Sequence, residues 1–125
     1  MVSGLGKFFA CIGASILFLG ALFHASGVPL VKSQAALLES SFLQAAIEPV
    51  WLLSAIHWLV FAVVSCVLVF KRSHHTRIIL FILGIAVLAD GVLVLCSVGP
   101  FIGGAMLCAA GGALLFSALF TRQTS

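Results

Sequence analysis

Four long apolar runs, almost free of charge, leave this chain few ways to fold. They cover residues 4–27, 49–70, 78–98 and 101–120, and after Lys7 the one side chain in them that is charged at neutral pH is Asp90. The hydrocarbon core of a bilayer is about 30 Å thick and takes about 20 helical residues to cross. Lipid offers no partner to an unpaired backbone N–H or C=O, so a spanning segment must satisfy those groups internally as a helix. A membrane barrel would alternate polar and apolar residues, and no such alternation is present. The expected fold class is therefore all-α: an integral membrane protein with four transmembrane helices forming one domain over residues 1–125. Composition agrees, with 63% hydrophobic and 7% charged residues, where soluble domains carry about a quarter charged.

The few charges orient the chain. Lys71, Arg72 and Arg77 bracket the short loop between the second and third runs, Lys7 stands near the start, and Arg122 follows the fourth run. Cytoplasmic loops of membrane proteins are enriched in Lys and Arg. This places both termini and that loop in the cytoplasm of a cell membrane, of the bacterial inner-membrane kind, with Lys32 alone outside. The net charge of +3 from six basic residues is too small for a nucleic-acid surface. A competing reading makes residues 1–27 a cleaved signal peptide, with Lys7 as its charged start and Ala25, Ser26 and Gly27 as a small-residue cleavage site. Against it, Gly13, Leu17, Gly20 and His24 share one helix face, a stripe that suits close helix packing and that a signal does not need.

Small residues mark packing faces elsewhere. Gly103, Gly104, Cys108, Gly111 and Gly112 leave one side of the fourth run very small, and Gly84 and Gly91 stand a heptad apart on the third. Such faces let backbones approach. They fit a compact bundle, a homo-oligomer or a partner in a membrane complex, besides the lipid bilayer itself. The four cysteines, Cys11, Cys66, Cys96 and Cys108, fall one per run without a CxxC pair and read as small apolar residues.

Between the first two runs, residues 33–48 place polar and apolar side chains on opposite sides at helical period. The expectation is an extra amphipathic helix on the outer surface, N-capped by Ser33, with Pro49 then opening the second span in its first turn. Glu39 falls in the middle of that helix's apolar side, where a carboxylate would have to face lipid or the bundle. Glu48 falls on the polar side as a solvated cap.

His57 lies eight residues after Pro49 and Asp90 eight before Val98, so both sit roughly 12 Å below the outer face. The loop joining their helices is short, which predicts antiparallel neighbours. An isolated charge at mid-membrane costs about 2.5–3.5 kcal/mol even on insertion scales, which favours pairing. His24 lies near the outer end of the first run, on its small-residue stripe. The candidate ligand-binding pocket accordingly comprises His24, Glu39, Ser54, His57, Trp58 and Asp90, all in the outer half. Trp51 reads as an interfacial belt residue.

Three function classes fit these residues. The first is a protein that binds a small ligand or ion, or serves as an accessory subunit. The second is a membrane-embedded acid–base or metal-dependent enzyme acting on an apolar substrate. The third is a purely structural or assembly protein. No HExxH motif is present, adjacent His74 and His75 make a poor metal site, and the depths of His24 and His57 differ too much for axial haem ligation. The sequence thus names no catalytic residue, metal or cofactor. A Glu39 carboxylate within reach of His24 or His57 would favour a pocket. An exposed Glu39 with His57 turned to lipid would favour the structural class.

Overall fold

The computed structural model describes residues 2–71 and 75–121; Arg72, His74 and Arg122 lie outside them. Five helices follow one another: α1 (Gly4–Ser26), α2 (Val28–Ala35), α3 (Ser41–Phe70), α4 (Thr76–Val98) and α5 (Ile102–Leu119). Of these, α1, α3, α4 and α5 are long and apolar enough to cross a membrane. They run alternately up and down, so both chain ends meet at one end of the bundle. There Val2 pairs with Thr121 in an isolated β-bridge, and the Ser117 hydroxyl donates to the Gly6 carbonyl at 2.7 Å. The opposite end, which carries α2, is called the far end below.

The segment after α1 departs from expectation. No single amphipathic helix covers residues 33–48. Instead α2 spans Val28–Ala35, the chain leaves helical form through 36–40, and α3 begins at Ser41. Ser33 does not cap a helix; its hydroxyl donates to the Leu30 carbonyl at 2.8 Å. Ser40 takes the capping role, extended at φ −83° and ψ 115°, its Oγ accepting the Leu43 N–H at 3.4 Å. Serine competes for backbone partners in helix interiors and is favoured at N-caps, so paired serines at 40 and 41 break the periodic run.

Pro49 consequently lies inside α3, not at its start. It leaves the Ala45 carbonyl without its helical donor. The helix can carry this because its 30 residues extend about 45 Å, some 15 Å more than the hydrocarbon core. The helix is thus long enough for its first turns to extend beyond the core. On this projection α2 rests, burying Val31 and Ala35, and Lys32 Nζ stands 3.0 Å from Glu48 Oε1. Glu48 is thus an ion-pair partner, where the sequence suggested a solvated cap.

Packing in the bundle is uneven. The contacts run α3 to α1, α1 to α5 and α5 to α4, while α3 and α4 barely touch. The α3–α4 edge is thus an open seam, although the two helices are near enough for His57 and Asp90 to approach across it. The core between the other helices is built on Leu17, Leu80, Val87 and Leu114, all fully buried. The tightest contact is α4 on α5. A Cβ on Gly91 would lie 2.7 Å from both the amide nitrogen and the sulfur of Cys108, and one on Gly111 would lie 2.6 Å from the Leu88 nitrogen. Backbones this close gain dispersion along their whole length, the main attraction available between helices in lipid. The outward faces carry exposed Phe, Leu, Ile and Val along all four spans, as contact with the bilayer requires.

Candidate ligand cavity

A cavity of about 550 Å³ opens at the far end of the bundle. One wall comes from α1 and the turn after it (Ile16, Gly20, Phe23, His24, Gly27), another from α3 (Trp51, Trp58). The rest comes from Ser26 at the end of α1, Leu30 of α2, Val94 and Val98 of α4, and Phe101, Gly103, Met106 and Leu107 at and within α5. Ligand sites of this size are mostly apolar with a few placed polar groups, and this lining has that character. Among the described residues, no Asp, Glu, Lys or Arg contributes to it.

Polar side chains in the lining include Ser26, whose hydroxyl is given to the Phe23 carbonyl at 2.6 Å, and His24. Its imidazole stacks on the Trp51 indole with ring centroids 3.7 Å apart and planes 11° apart, and it stands tilted at 4.8 Å from Trp58. Trp51 also donates its indole N–H to the His24 carbonyl at 2.6 Å. The last carbonyls of a helix lack intrahelical donors, so a side chain from α3 supplies one near the C-terminus of α1. Gly27 makes room for the arrangement: a Cβ there would meet Trp51 Cζ2 at 3.1 Å. With ring and backbone both engaged, His24 is held in place. Its Nε2 is nonetheless buried and has no hydrogen-bond partner.

The remaining candidates are distributed differently. Of the six residues expected to converge, only His24 and Trp58 line the cavity. His57 Nε2 lies 3.9 Å from Asp90 Oδ2, close enough for electrostatic attraction but too far for a direct hydrogen bond. This contact bridges the α3–α4 seam. Neither His57 nor Asp90 forms part of the cavity lining. The His57 ring also makes an edge contact with Phe61 at 4.3 Å. Ser54 donates back to the Val50 carbonyl at 3.3 Å within its own helix.

Glu39 is exposed in the connection between α2 and α3. Its apparent place on an apolar helix face vanished when the helix broke before it. The geometry thus answers the sequence question in a mixed way, with Glu39 out in the open and His57 turned toward Asp90.

The sequence reading missed Trp51, which it assigned to an interfacial belt, and the wall residues Phe23, Phe101 and Met106. A signal for Trp51 existed in hindsight: it stands seven residues from Trp58, two turns along one helix face. Among the described residues, no group of three His, Cys, Asp or Glu side chains converges as a metal site. No family model, curated protein or solved structure matches the chain.

Proposed function

We propose that this multi-pass membrane protein binds a small, largely apolar ligand in the far-end cavity, with His24 as its polar anchor. One observation carries the reading: an apolar space of about 550 Å³ is walled by all four spanning helices, and among its lining residues is an immobilised histidine, His24, whose buried Nε2 has no partner among the described residues. A buried polar atom left unpaired costs free energy, about 1–3 kcal/mol, which a ligand able to bond to it would recover. The basic residues near the chain ends and in the loop after α3 support an orientation with the termini cytoplasmic, so that the cavity belongs to the outer half of a cell membrane. An acid–base enzyme draws less support. Its best candidates, His57 and Asp90, face one another across the seam outside the cavity lining, and Glu39 is exposed.

Both tryptophans of the chain line the cavity and the chain has no tyrosine. Intrinsic fluorescence therefore reports occupancy with little background. Protein reconstituted in vesicles and titrated with a brominated alkane is expected to quench saturably. Gly20→Leu provides the control: a Cβ at Gly20 meets nothing nearer than Trp58 at 4.0 Å, so a leucine fits without disturbing helix contacts and fills the space. Saturable quenching should weaken at least about tenfold, or about 1.4 kcal/mol. Equal saturable quenching of the wild type and Gly20→Leu would sink the proposal.

A further inference from the structure

The cavity's lining constrains the class of its ligand and where that ligand comes from. We infer that it holds an uncharged lipid-like molecule bearing a hydroxyl group, taken from the bilayer through the α3–α4 seam; the inference rests on the cavity being a ligand site.

Charge is argued first. The lining holds no acidic or basic side chain apart from the imidazole of His24. Taking an ion into an apolar space without a counter-charge is strongly unfavourable. The aromatic rings could attract a cation, but the carboxylate nearest in sequence to the α4 wall, Asp90, is not among the lining residues and faces His57.

The polar anchor then selects the functional group. His24 Nε2 is buried and unpartnered. In a neutral imidazole that nitrogen donates in one tautomer and accepts in the other. A hydroxyl satisfies either state, whereas a carbonyl or ether oxygen meets only the donor. The indole of Trp51 adds no competing group, because its N–H is already given to the His24 carbonyl.

The source follows from the packing. Trp51 and Trp58 form the cavity's wall on α3, and Val94 and Val98 its wall on α4. Those two helices barely touch. The edge of the bundle between them is therefore the least sealed side of the cavity, and within the span that side meets acyl chains.

The test uses the reconstituted full chain and tryptophan quenching by four probes: bromoundecanol, bromoundecane, a bromoundecyl trimethylammonium salt and water-soluble bromoethanol. Bromoundecanol should saturate at a bilayer concentration about 3–10-fold below that of bromoundecane, the worth of one hydrogen bond, and bromoethanol should not saturate. His24→Phe keeps the ring stack while removing both nitrogens, and should erase the preference for the alcohol without changing the alkane. His24→Gln, which keeps a donor and an acceptor, should retain a preference for the alcohol, and serves if the phenylalanine variant fails to fold. Equal saturation by alcohol and alkane, or tightest binding by the ammonium salt, overturns the ligand class while leaving the cavity as a ligand site. Saturation by bromoethanol at the same aqueous concentration overturns the bilayer source. Absence of saturable quenching by every probe refutes the cavity reading as well.

Discussion

Gly111 and Gly112 are neighbours on α5, and exchanging each for alanine isolates what close packing contributes. Helix propensity favours either exchange, by about 1 kcal/mol in a helix interior. Their surroundings differ completely. A Cβ on Gly112 meets nothing within 4 Å, while one on Gly111 would lie 2.6 Å from the Leu88 nitrogen and 2.9 Å from the Gly84 oxygen. These are backbone atoms of α4 and cannot rotate aside. Restoring ordinary contact requires α4 and α5 to separate locally by about 0.8 Å, and a gap of that order forfeits a quarter to a half of the dispersion energy at each affected atom pair.

Overpacking of this kind costs roughly 1–3 kcal/mol. Because the propensity term is common to both variants, the difference between them should equal the steric cost. Gly112→Ala is expected to match or exceed the wild type, with Gly111→Ala less stable than Gly112→Ala by about 1–3 kcal/mol. Reversible unfolding in mixed micelles by added SDS, followed by circular dichroism, measures the difference. Indistinguishable midpoints for the two variants would refute the backbone-to-backbone contact between α4 and α5.

Two further outcomes follow from the seam and from the charge pattern. A double-mutant cycle on His57→Leu and Asp90→Leu, read by the same unfolding assay, should give a favourable coupling of about 0.6 kcal/mol and at most about 1.7, the range of polar pairs between membrane helices; additivity within about 0.3 kcal/mol would mean that the pair does not interact. In right-side-out spheroplasts, and in a background lacking the native cysteines, an impermeant maleimide should label Ser33→Cys and spare Lys71→Cys; the reverse pattern would invert the proposed orientation.

How much of this was legible beforehand differs by the kind of information each feature needs. The spans could be read because apolar length is a local property: three of the four helices begin and end within a few residues of the runs, and the third helix in the chain, α3, starts eight residues before its run, at Ser41. The approach of His57 and Asp90 could be read for the same reason, since a fixed rise per residue put them at matching levels on antiparallel helices, and they stand 3.9 Å apart. How little their helices pack could not be read, since α3 lies against α1, and α4 against α5. Glu39 shows the opposite failure. A wheel drawn through residues 33–48 assumes an unbroken helix, and the capping by Ser40 invalidates every angle measured across it. The cavity was legible least of all. It arises beside two tryptophans, with Gly20 leaving open space at its wall, and unfilled volume is not encoded by any one position.

The glycine contacts and the polar pair are one arrangement seen from two sides. Gly91 is fixed against α5, where its missing Cβ would collide with Cys108 and with the Gly104 oxygen at 3.0 Å. Asp90 precedes it and is rotated about 100° around α4, so pinning Gly91 inward turns Asp90 off that contact and toward α3. The carboxylate then reaches the one side of the bundle that helix packing leaves open, where His57 stands 3.9 Å away. A carboxylate at this depth would otherwise face hydrocarbon, at a cost of several kcal/mol. Tight packing on the α4–α5 edge thus fixes the direction of the polar group that bridges the loosest edge.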